Sequence, residues 1–245
     1  MSQNKEKINL TEHLEELRSR LIKCFFIIFS GFLICYFFKE KIFLFLIKPL
    51  RSALGENGQL IFTSLPEAFF TYLKTALFSG IIITLPFLIY QFWLFVSPGL
   101  YSKEKKAVII LTFFSVIFFA VGGAFAYFLV FPYGFSFLLG FANENIKALP
   151  SMKEYFSFAS KLLFAFGLAF ELPLVLSGLA KMGIVSSDFL KKQRKYAILI
   201  FFIFAAIITP PDVVTQIMMA VPMVLLYELG ILGAVFFGKK KSDDI

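Results

Sequence analysis

Long apolar runs separated by short polar segments dominate the chain, and their lengths define the elements. Runs near 21–38, 73–97, 107–131, 155–180, 196–210 and 213–237 each approach the thickness of a hydrocarbon layer of about 30 Å. Each is expected to be helical, because an isolated strand in lipid would leave its backbone groups unpaired. The run from Tyr196 to Thr209 has fourteen residues, about 21 Å of helix, which is short for a bilayer. It could be re-entrant. A short full span is preferred, since Thr209-Pro210-Pro211-Asp212 spells a tight turn before the last run, and a thinned bilayer would then surround the pair. Six spans predict an all-α integral membrane protein with both ends on one side. The whole chain is expected to form a single polytopic domain, with 1–20 an amphipathic cytoplasmic segment and 238–245 a cytoplasmic tail.

Composition strengthens this picture. Hydrophobic residues make up 59% and phenylalanine alone supplies 36 positions, more apolar surface than a compact soluble domain can hide. The formal charge of +8 would suit nucleic acid if the cations clustered on one face, but they sit at the ends of the apolar runs. Sixteen of the 24 Lys and Arg fall on the side of the termini and eight on the other, so the positive-inside rule places both termini in the cytoplasm. No cleavage motif follows the first run, as expected for direct insertion into the cytoplasmic (inner) membrane of a bacterium.

Within this frame a few polar residues call for a reason. The stretch Asn9 to Leu21 starts with Asn9 and Glu12 at capping-box spacing and then becomes amphipathic, with Glu12, Glu16 and Arg20 on one face. Pairing of Glu16 with Arg20 at i, i+4 accounts for these residues by itself, at about 0.3–0.5 kcal/mol. Trp93 and Tyr101 suit an interfacial aromatic belt, and Glu104 is the one acid in its short loop. Glu171 lies near the middle of the fourth run, where a charge costs roughly 2.5–3.5 kcal/mol. Gln216 and Glu228 suit hydrogen bonds between helices, and Asp212 an N-cap. Pro86, Pro132, Pro173 and Pro222 are each expected to bend a helix.

Enzyme chemistry finds no footing. His13 is the sole histidine, and Cys24 and Cys35 are eleven apart, a spacing of no common metal or redox motif. Gly233 to Lys240 imitates a phosphate loop but has Lys240 where the Ser or Thr that holds magnesium belongs. No cofactor is expected. A small secondary transporter using Glu171 is the alternative from another class, although the two halves show no internal repeat.

Seven motifs in order resemble the TatC family of the twin-arginine (Sec-independent) protein translocase. They are His13-Leu14-Glu15-Glu16-Leu17-Arg18-Ser19-Arg20-Leu21, Lys48-Pro49-Leu50, Gln91-Phe92-Trp93 with Phe95 to Glu104, Ala124-Phe125-Ala126-Tyr127-Phe128, Phe131-Pro132, Phe166-Gly167 with Phe170-Glu171-Leu172-Pro173, and Thr209-Pro210-Pro211-Asp212. The resemblance implies a cup-shaped bundle that binds the twin-arginine signal peptides of folded precursors and works with single-span partners of the TatA and TatB type in an oligomeric complex, driven by the proton-motive force. It implies that Glu16 and Glu104 contact the arginine pair, that Arg18, Phe95, Pro49 and Asp212 fall on functional positions, and that Glu171 is the acid on the concave face of the cup; Gln216 is a further polar candidate by its place in the last span alone. A carboxylate binds the planar guanidinium fork bidentately, which a lysine ammonium cannot match.

Overall fold

Helix α1 (Ser2–Phe37) is followed after a single turn residue, Phe38, by α2 (Lys39–Leu54) in the computed structural model, which describes residues 2–55, 58–100, 105–143 and 145–238, with side chains described at 14–55, 58–95, 108–143 and 145–238. There follow α3 (Glu67–Leu100), α4 (Lys105–Phe125), a π turn (Ala126–Val130), α5 (Phe131–Leu139), α6 (Met152–Phe170), α7 (Leu172–Met182), α8 (Ser187–Lys192), α9 (Arg194–Ile208) and α10 (Val213–Phe237). The described residues form no strand beyond two isolated bridges.

Five stretches are long and apolar enough to cross a membrane: Leu14–Phe37, Glu67–Phe95, Val108–Leu139, Met152–Met182 and Val213–Phe237. The protein is therefore an all-helical integral membrane protein. Helix α9, with 15 residues, is about 22 Å long, close to the short fifth segment that the sequence suggests.

Two expectations are corrected. Helix α1 starts at Ser2, so Asn9 lies inside it and not at its first position. The fourth run is not one helix, because α6 ends at Phe170 and α7 starts beyond Glu171 with Pro173 in its first turn, where a missing N–H costs nothing. Of the four prolines, Pro132 and Pro173 follow a break in the regular helix, whereas Pro86 and Pro222 sit within the uninterrupted α3 and α10.

The chain forms two compact units. The first comprises Met1–Phe43 and Phe69–Val116. Here Gly31 of α1 meets Gly80 of α3 so closely that a Cβ on Gly80 would stand 2.6 Å from the Phe32 nitrogen, a backbone approach that only glycine permits. The opposite face of α1 carries Phe25, Phe29, Leu33 and Phe37, all exposed, as a lipid-facing side must be.

The second unit comprises Leu44–Ala68 and Ile117–Ile245. Its last helix sorts its residues by face: Thr215, Met219, Met223, Leu226 and Gly230 are buried, while Val214, Val221, Leu225, Leu229 and Leu232 are exposed. Small residues fit α10 against α7, since a Cβ on Gly230 would lie 2.6 Å from Leu176 Cδ1. Aromatic rings then run inward from the surface, from exposed Phe45 stacked on Tyr127 at 4.8 Å to buried Phe131, Phe135 and Tyr155.

Candidate functional site

In the first unit the amphipathic end of α1 is tied to α3 by one guanidinium. Arg20 donates from Nε to Glu16 Oε1 at 3.1 Å and again from Nη2 to the same oxygen, its Nη1 donates to Gln91 Oε1 at 3.0 Å, and Nη2 also reaches the Leu94 carbonyl at 3.5 Å. Helical spacing brings Glu16 beside Arg20, and packing of α1 against α3 brings Gln91. Glu16 is half-buried and Gln91 buried, so the pair is more confined than an exposed surface bridge. Arg20 thus fixes the position of the Glu16 carboxylate from one side.

Arg18 is exposed on another face of α1, beside a shallow concavity lined by Glu15, Ser19, Ile22 and Lys23. Phe95 follows Leu94 on α3 and is half-buried. Glu104 and Tyr101 lie outside the described residues, as does the side chain of His13. Trp93 corrects the aromatic-belt expectation: it is 5% exposed, and its indole N–H donates to Ser115 Oγ at 3.0 Å, joining α3 to α4 inside the unit. Cys35 is buried and Cys24 half-buried, both as free thiols.

The other candidates belong to the second unit. Glu171 occupies the turn between α6 and α7 and is half-buried. Gln216 donates from Nε2 to the Phe202 carbonyl at 3.0 Å, and Glu228 accepts from Arg194 Nη2 at 2.7 Å, so both link α10 to α9. Asp212 caps α10, accepting from the Thr215 N–H at 2.7 Å and its hydroxyl at 2.6 Å.

Pro49 lies buried in α2, where the missing N–H leaves the Phe45 carbonyl without its i+4 donor. Tyr127 supplies that donor, its hydroxyl reaching the Phe45 oxygen at 2.7 Å, and the Tyr155 hydroxyl donates to the adjacent Leu46 carbonyl. Two tyrosines from the π turn and α6 therefore hold α2 at its proline.

Glu67 was not a candidate in the sequence and proves to be an organising residue. It is 5% exposed; Oε2 accepts from the Thr63 N–H at 2.7 Å and hydroxyl at 2.8 Å, and Oε1 from the Ser151 hydroxyl at 2.7 Å and the Lys153 N–H at 3.0 Å. Four donors saturate the carboxylate. They fasten the loop before α3 to the start of α6, where Ile61 also pairs with Pro150 and Met152 through its backbone. The spacing Ser64-Leu65-Pro66-Glu67 ahead of an apolar run is a capping-box pattern and was the available signal.

Among the described residues no cluster of three His, Cys, Asp or Glu could hold a metal. What the arrangement offers is a positioned carboxylate, an interhelical polar contact and a helix break, which are means of binding. Against known proteins, the model of the family described as "Sec-independent protein translocase protein (TatC)" matches residues 12–222. The chain is 60% identical to the Sec-independent protein translocase protein TatC of Desulforapulum autotrophicum, across all of this chain and 90% of that one, and 44% identical to that of Aquifex aeolicus, across 95% and 98%. It superposes with TM-score 0.83 on a crystal structure of the twin arginine translocase receptor TatC, at 42% identity over 92% of this chain and 99% of the other.

Proposed function

Since this chain belongs to the TatC family of Sec-independent protein translocase components, a family of transport proteins and not of enzymes, we propose that it is the receptor and core subunit of a twin-arginine translocase in the cytoplasmic membrane of a bacterium. It crosses that membrane six times as a single polytopic, cup-shaped domain with both termini inside. It binds the twin-arginine signal peptides of folded precursors and assembles with TatA- and TatB-type single-span subunits for export driven by the proton-motive force.

The observation that carries this reading is the Glu16 carboxylate held by Arg20 and, through it, by Gln91. A carboxylate whose position is set in advance loses little entropy when an arriving guanidinium adds its fork. Glu16 and Glu104 contact the arginine pair, with Arg18 and Phe95 on the surrounding surface. Glu171, Gln216, Pro49 and Asp212 serve the intramembrane and partner-binding side. A Glu171→Ala chain is expected to lose its partner helix, and an intact partner complex from that variant would remove Glu171 from this role.

Binding of an Arg-Arg signal peptide to the chain in nanodiscs, against a Lys-Lys peptide at fixed salt, tests the receptor reading. A hydrogen bond to a charged group is worth about 1.5–3 kcal/mol, so Glu16→Gln should weaken Arg-Arg binding roughly tenfold or more and leave the Lys-Lys baseline nearly unmoved. Equal binding of both peptides by the parent chain would refute it.

A further inference from the structure

A concavity of about 440 Å³ opens in the second unit, lined by Phe135 and Leu138 of α5, Ile207 of α9, and Glu154, Phe158 and Lys161 of α6. Its walls are mostly apolar, and the side chains that carry full charge are one acid and one base. The remaining titratable group, Tyr155, already donates its hydroxyl to the Leu46 carbonyl. Glu154 and Lys161 are seven residues apart, which puts them on one face of α6, about 10 Å apart along its axis. Among the described residues neither has an ion-pair partner.

Depth gives the pair a direction. Glu154 lies in the first turn of a helix that crosses the membrane, at the level of the headgroups, whereas Lys161 is the tenth residue of α6. A lysine there extends its ammonium outward toward the polar zone along its apolar stem. From the surface inward the concavity therefore presents a negative group, then a positive group, then aromatic and branched apolar walls. A zwitterionic phospholipid presents the complementary order: amine outermost, phosphate beneath it, acyl chains deepest. The geometry points to a bound aminophospholipid of the phosphatidylethanolamine type, its phosphate on Lys161, its amine on Glu154 and its chains starting over Phe158, Phe135 and Ile207. A primary amine donates hydrogen bonds to the carboxylate, which a quaternary choline cannot do, and an anionic headgroup with no amine would leave Glu154 opposed. The order of charges is the same whichever side of the membrane this end of α6 faces.

Native mass spectrometry of the full chain released from nanodiscs of equal phosphatidylethanolamine, phosphatidylcholine and phosphatidylglycerol content tests the assignment. The parent chain should retain phosphatidylethanolamine over both others by roughly tenfold or more, the scale of one charge-assisted hydrogen bond. Glu154→Gln should erase the preference over phosphatidylcholine, and Lys161→Gln should lower retention of all three lipids. Both side chains are exposed, so both variants are expected to unfold at the parent temperature. Equal retention of the three lipids by the parent chain overturns the proposal whether or not the variants fold. So does unchanged retention in folded variants, and if those variants instead lost a co-purifying protein, the occupant would be a partner helix.

Discussion

Proline 49 shows how a single missing hydrogen can organise its surroundings. Pro49→Ala would return an N–H to the Phe45 carbonyl, so the Tyr127 hydroxyl would no longer be that oxygen's substitute donor. Tyr127→Phe is therefore expected to cost about 0.6–1.7 kcal/mol in the parent chain, the range of such bonds in membrane proteins, and distinctly less in a Pro49→Ala background. Unfolding in detergent of the four chains of that cycle measures the difference, and equal cost in both backgrounds would disconnect the two residues. At Glu67, Glu67→Ala removes the acceptor for four donors, and the expected outcome is a lower unfolding temperature with faster proteolysis near Thr63 and Ser151. Sequence periodicity was enough to place Glu16 beside Arg20. It could not supply Gln91, which is 71 residues from Arg20 and reaches it only through packing of two helices. Trp93 differs from its sequence expectation for the same reason: an indole suits an interface or an interior equally well, and only the packing of α3 on α4 sets Ser115 opposite its N–H.

Helices as units were more legible than their ends. The last apolar run and α10 coincide at 213–237, because Asp212 caps one end and Gly238 follows the other. Helix α2 has no counterpart among the long apolar runs, although Phe43, Leu46, Ile47 and Leu50 bury one face at i, i+3, i+4 and i+7. Its 16 residues hold too many polar groups to register as a span, and Pro49 argues locally against a helix. The crossing of α1 with α3 yields a prediction of its own. Gly80→Ala places a methyl group against the Phe32 backbone and should destabilise the protein by roughly 1–3 kcal/mol, while Gly123→Ala, with open space around it, should be neutral or slightly stabilising. Thermal unfolding in detergent compares the two, and a Gly80→Ala chain as stable as the parent would refute the close approach.

For the molecule as a whole, the distribution of Lys and Arg proposes an orientation that chemical labelling can check. In a Cys24→Ser, Cys35→Ala background, Asn145→Cys should react with a membrane-impermeant maleimide in intact cells, and Ser242→Cys only after permeabilisation. Labelling of both from outside would mean that α9 does not cross and that five spans, not six, carry the chain. The π turn at Ala126–Val130 has a consequence of this same reach. A π turn is an α-helix holding one residue too many, so the two geometries are related by a single codon. Deleting one residue there would let α4 run on into α5 as one regular α-helix, and the positions beyond would keep their faces, because a π turn spends about one residue more than an α turn on the same rotation. Phe131 and Phe135 would stay on the buried side, whereas the same deletion within the regular turns of α4, which hold no surplus residue, would turn every later position by about 100° and shift it by about 1.5 Å. An in-frame deletion of one codon would thus be absorbed within the π turn and would misdirect the second half of the protein if it fell in the helix before it, which makes this short stretch the more forgiving of a lost residue.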